Sequence, residues 1–157
     1  MEVHKLRSLF TQHAKNIAMH RKWSSEGELI PTLKAWLRAE QLLRLDMLIM
    51  QYRDSHPSAW APMRGTNALN QLVFSRTGWT LAQINQLSFD EKLLVLHQDL
   101  AEVNIQQEVL DLPETLMASL EYAKFEQEIY RIEWPPCSEK EWDPNLSEIA
   151  QGLRKPF

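Results

Sequence analysis

The chain has 157 residues, of which 44% are hydrophobic and 24% charged, and a formal net charge of −4 at pH 7. That length suits one domain able to bury about two-thirds of its unfolded surface, and the balance is that of a soluble globular protein, not a disordered or fibrous one. The single cysteine, Cys137, excludes an internal disulfide framework and a multi-cysteine zinc site.

No uncharged apolar run approaches the roughly 20 residues that cross a bilayer. The first residues are charged from Glu2 onward with no unbroken apolar stretch, so no secretory signal is expected. The expected location is the cytoplasm, with no membrane partner. Charge is unevenly placed: residues 1–64 hold ten Lys/Arg against six Asp/Glu, and residues 65–157 hold seven against fifteen. Such asymmetry marks either a basic face for nucleic acid, an acidic face for a basic partner, or neighbouring helices that complement one another.

Residues 2–22 predict an amphipathic helix. Val3, Leu6, Phe10, His13, Ile17 and His20 recur at heptad spacing, and the helix is basic. Ser24, Ser25 and Gly27 then suit a turn. The stretch on which the fold is built follows, a long central helix over about 31–53. Pro31 stands where a helix loses nothing by a missing N–H, and no further Gly or Pro interrupts it. Leu33, Trp36, Leu37, Leu43, Met47 and Met50 form one apolar stripe, and Leu42, Leu45, Ile49 and Tyr52 form a second. A helix apolar on most of its circumference has neighbours on several sides. Glu40 interrupts the first stripe; a carboxylate buried there needs a partner, and the basic first helix is the expected source.

Residues 53–64 read as a connecting loop anchored by Trp60. Three short helices are then expected. Thr66 or Asn67 caps the first, and Gly78 ends it in the left-handed conformation. Thr80 caps the second, which carries Leu81, Ile84 and Leu87. Ser88 with Glu91 makes a capping box for the third, whose apolar face is Phe89, Leu93, Leu96 and Leu100. Asp111, Pro113 and Glu114 start another helix running to about Arg131, stopped by Pro135 and Pro136. An acidic loop follows, and Asp143-Pro144 opens a last short helix. No stretch alternates with period two. The expected fold is all-α: a single-domain bundle (1–157) of about six to seven helices around the central one.

Signatures of catalysis are missing. Four scattered glycines cannot build a phosphate loop, and no nucleophile-elbow, zincin or di-iron spacing occurs. Acidic neighbours of Cys137 disfavour its thiolate. His13 and His20 lie two turns apart, about 10 Å by helix rise, too far to share a metal. They are expected to be core or edge-of-core histidines, as is His97. No catalytic, metal or cofactor-binding residue is therefore expected, and the chain reads as a non-enzyme.

Two binding classes compete. The run NQLVFSRTGWTLAQINQL has the outline of a helix-turn-helix over 66–87, with Gln83, Asn85 and Gln86 as the DNA-reading side chains. Against it stand bulky Phe74 near the turn, a reading helix with no Arg or Lys, and an acidic helix after it. Protein–protein binding draws on Trp and Arg as interface anchors: Trp134 and Trp142 in the acidic loop, Trp60, and Arg64. Met47, Met50 and Met117 add adaptable surface. The competing expectation is that the tryptophans fold back over helix ends.

Arg64-Gly65, Ala68-Leu69, Leu72, Thr77-Gly78-Trp79, Leu87-Ser88 and Leu94-Val95-Leu96 together form a pattern that resembles one in small phage- and prophage-borne proteins of enterobacteria. The resemblance covers about 35 residues, mostly turn, cap and core positions, and that family has no assigned activity to carry over. It implies context alone: an accessory factor in a bacterial cytoplasm acting on a host protein. The function expected from the whole reading is that of a protein-binding or modulatory protein, with another protein or a second copy of itself as partner. A DNA-binding transcriptional regulator is the alternative.

Overall fold

The computed structural model describes residues 1–23, 29–58, 60, 63–122 and 133–153. Among these residues the secondary structure is helical, with no strand. The elements are α1 (Val3–Arg21), α2 (Leu29–Ser55), α3 (Gly65–Thr77), α4 (Leu81–Gln86), α5 (Phe89–Val95), α6 (His97–Ala101), α7 (Gln107–Leu110), α8 (Glu114–Tyr122) and α9 (Pro144–Ala150). A 3-10 turn, Glu139–Glu141, precedes α9. The fold is all-α and built on the long α2, as expected. The part of the expected 111–131 helix beyond Tyr122, and the turn at Ser24, Ser25 and Gly27, lie outside the described residues.

At 27 residues, α2 spans about 40 Å. It starts two residues before Pro31, which still falls in the first turn, where backbone N–H groups have no intrahelical partner. It runs on to Ser55 because the next residue that forbids helix is the one before Pro57. α1 packs along it as the most extensive helix pair. The face α1 offers is the predicted seam: Leu6, Phe10, His13 and Ile17 are buried, together with Leu9, Ala14 and Ala18. Phe10 meets Trp36 edge to face, with ring centroids 4.9 Å apart. His20 is exposed.

Leu69, Val73, Ile84, Phe89, Leu93, Leu96 and Leu100 from α3 to α6 complete the core, with Val109, Leu116, Cys137 and Trp142. Three of the local signals hold as expected. Gly78 closes α3 at φ 69°, Thr80 and Gln83 cap α4 reciprocally, and Ser88 and Glu91 do so for α5. The cap predicted at Thr66 or Asn67 does not form. Instead α3 starts at Gly65, with φ 53°, and its N–H donates to Glu148 Oε1 of α9 at 2.8 Å. A buried carboxylate at a helix N-terminus serves the unpaired donors and the dipole alike, so a distant residue takes over the local one's task. The helix expected over Phe89–Leu100 is divided at Leu96 into α5 and α6, yet all four of its predicted apolar residues are buried.

Glu40 is not the buried oddity of α2. Its side chain is 31% exposed and pairs with Arg44 of its own helix at 2.9 Å, not with α1. The buried charges of α2 are Arg38 and Asp46. Asp46 lies at heptad spacing with Ala35, Ala39, Leu42 and Ile49, a stripe buried throughout, whereas Leu37, Met47, Met50 and Tyr52 of the two apolar stripes are half-buried.

A groove over the central helix as candidate binding site

The segment 133–153 crosses α1 and α2 and is fixed there by polar bonds. Asp46 uses both carboxylate oxygens. Oδ2 meets His13 Nε2 at 2.6 Å, and Oδ1 accepts from Trp142 Nε1 at 2.9 Å. Trp142 also stacks on Phe89, with centroids 5.5 Å apart. A second buried carboxylate, Glu141, meets Arg21 at 2.8 Å and Arg38 at 3.6 Å. Burial alone would raise the Glu141 carboxyl, but the Arg21 hydrogen bond, the Ser138 N–H and the two guanidinium charges outweigh it and hold it below its ordinary value. The Arg21 guanidinium is raised in return, chiefly by that hydrogen bond. Arg38 also donates to the Pro135 carbonyl at 2.8 Å, and Asn16 to the Glu141 carbonyl at 3.1 Å.

These bonds hold the Trp134–Pro136 stretch away from α6, and a cleft of about 630 Å³ opens between the two with α2 beneath. Its size is that of a ligand or peptide-side-chain site. α2 contributes Leu37, Glu40 and Gln41, with Arg38 and Arg44 at the edges. Asp90, His97, Leu100 and Ala101 line one side, and Trp134, Pro135 and Pro136 the other. Each side is pinned by one arginine of α2. Arg38 holds Pro135 and lies 5.5 Å from the Trp134 ring. Arg44 Nη1 donates to the Leu100 carbonyl at 3.2 Å and the Val103 carbonyl at 2.7 Å, at the end of α6. Asp90 joins the two sides by accepting the Cys137 N–H at 2.7 Å.

The expected anchors separate. Trp134 is 42% exposed and lines the groove. Trp142, expected at the surface with it, is 3% exposed and cannot serve as a surface anchor. A stack on Phe89 and a carboxylate acceptor for its N–H satisfy both its apolar body and its polar tip. Trp60 is exposed but does not line the groove. Arg64 is half-buried at the start of α3, with its Nε enclosed. Gln83, Asn85 and Gln86 are exposed on α4. That helix has only six residues, and the Gln83 carbonyl is taken by the Thr80 N–H at 2.9 Å. Asp90 and Glu91 in the first turn of α5 would face any phosphate approaching from that side.

Sequence reasoning missed the groove itself. Leu37 and Glu40 read from sequence only as stripe positions, Asp90 carries no signal, and His97, expected at the edge of the core, is exposed because it turns outward into the groove. Proximity between residue 38 and residue 135 has no local signal. Cys137 lies beneath the groove, buried, with its thiol pushed up to about 11 by burial first, against the pull of Arg38 and with that of Glu141 and Asp90. Among the described residues no group of three or more His, Cys, Asp or Glu side chains could hold a metal ion, and no helix is long and apolar enough to cross a membrane.

No protein-family model, curated protein or solved structure matches this chain.

Proposed function

We propose that this protein is a non-enzymatic interaction protein of the cytoplasm that seats a segment of another protein in the groove over α2. The observation that carries the reading is Trp134, a large aromatic at a groove edge, held in place by Arg38 and by the Pro135 carbonyl bond and still 42% exposed. An aromatic anchor fixed before binding loses little freedom when a partner arrives. The charged groups around it already serve the fold: Glu40 holds Arg44, and Asp90 holds the Cys137 backbone. Nucleophilic attack by the nearby Cys137 is disfavoured, since burial drives its thiol away from the reactive form. Following the resemblance of about residues 64–100, the partner we propose is a host protein met by a phage-type accessory factor.

The test is affinity capture from a native bacterial lysate with mass readout, using the wild-type chain, Trp134→Ala and Ala101→Trp. The first variant removes the anchor and the second fills the groove from an exposed position. Both are expected to stay folded by circular dichroism and to lose the same captured protein. A captured set unchanged by both variants overturns the groove as the docking surface.

A further inference from the structure

We infer that the segment received by this groove is cationic, a stretch of another protein that presents arginine or lysine. The inference rests on the groove reading above and adds the chemistry of the occupant. Two positive charges border the groove, and both are spent within the chain. Arg44 gives Nε and Nη2 to Glu40 Oε1 at 3.1 and 2.9 Å, and Nη1 to carbonyls at the end of α6. Arg38 is 4% exposed, bonded to the Pro135 carbonyl and paired with Glu141.

What the groove still offers is acceptors. Glu40 engages Oε1 alone and Asp90 engages Oδ1 alone, so among the described residues each carboxylate keeps a second oxygen without a bond. Gln41 and His97 likewise have no hydrogen-bond or ion-pair partner among the described residues. Trp134 already takes one guanidinium, that of Arg38, at 5.5 Å from its ring. An indole face with carboxylate oxygens nearby is the arrangement that binds a cation with an apolar stem. Leu37, Leu100 and the two prolines supply surface for that stem. An acidic segment would bring its carboxylates against Glu40 and Asp90, and the one Arg38 nitrogen without a hydrogen bond, Nη1, is enclosed 3.6 Å from Glu141 and out of its reach. The chain that carries Asp90 and His97 has the same sign, since residues 88–122 hold eight acidic side chains against one basic one.

The experiment selects short random-sequence peptides against the full chain, resynthesises the winners, and measures their affinity for wild type, Trp134→Ala and the double variant Glu40→Gln/Asp90→Asn. Each amide keeps the oxygen that accepts the internal bond and removes the charge, and thermal melting confirms that the variants fold. The expected result is enrichment of Arg and Lys, loss of binding with Trp134→Ala, and weakening by at least about tenfold with the double variant. Peptides that depend on Trp134 but are acidic or neutral, or are indifferent to the double variant, overturn the cationic occupant and leave the groove reading intact. Selected peptides that ignore Trp134→Ala, or a failure to select any peptide, overturn both.

Discussion

Glu141 is 1% exposed and lies between Arg21 and Arg38, so its charge is kept by partners and not by water. Its folded-state proton affinity is depressed below the ordinary value of 4.5. The unfolded chain therefore binds that proton more readily, and the stabilisation is complete above about pH 4.5 and lost as pH falls through the depressed value. Glu141→Gln leaves the nearly buried Arg38 without its counter-charge. It is expected to cost about 3 kcal/mol at neutral pH, and to flatten the acid side of the stability profile in urea titrations run from pH 7 to pH 3. A variant whose stability falls as steeply with acid as wild type would assign the acid sensitivity to other groups. This is also the scale at which the sequence was least legible. Counting apolar positions locates α2 but passes over Arg38 and Asp46, which are buried because Pro135, Glu141, His13 and Trp142 arrive from elsewhere in the chain. Glu40 attracted notice because it interrupts a stripe, although its partner is simply four residues along.

Among the elements, the short helices α4 and α5 owe their ends to residues within three positions of them, and so they were legible. Thr80 accepts the Gln83 N–H at 3.2 Å, and Ser88 accepts the Glu91 N–H at 3.1 Å. In return the Ser88 N–H donates to Glu91 Oε1 at 3.1 Å, and this bond first, with the Ser88 side chain, lowers the exposed Glu91 carboxyl. Thr80→Ala and Ser88→Ala are each expected to destabilise by about 1 kcal/mol, read as shifts in the denaturation midpoint with unchanged slope. Thr66→Ala is expected to shift it less, because Glu148 and not Thr66 meets the start of α3, and the Thr66 hydroxyl gives up only an exposed bond to Glu139 at 2.8 Å. Equal losses at all three positions would place the cap where the sequence pattern put it. The start of α3 shows the limit of local reading. A carboxylate 83 residues away satisfies the first N–H, and nothing near residue 65 announces it.

For the molecule as a whole, the decisive element is the segment 133–153, which supplies partners to three earlier helices at once. It gives Trp142 to Asp46 of α2, the Glu141 carboxylate to Arg21 of α1, and Glu148 to Gly65 of α3. It also carries Trp134, so the groove and the closing of the core depend on the same residues. A chain ending at residue 132 is expected to keep helical circular dichroism in part but to be cut by protease far faster than the full chain, because Asp46, Arg38 and the end of α1 lose their cover. Equal resistance of the two chains would mean that the earlier helices close without it.

The 96 positions between Asp46 and Trp142 acquire a different meaning in a chain still being made. At about 5–20 residues per second, the ribosome takes roughly 5–20 s to pass from one to the other. During that interval α1 and α2 can already pair, with His13 on Asp46, but Asp46 Oδ1 has water where the indole N–H will be. The growing chain thus waits in an unfinished form, open to chaperones and proteases. The Trp134 side of the groove is laid down at the close of that wait, so the groove is complete only with the residues that end it.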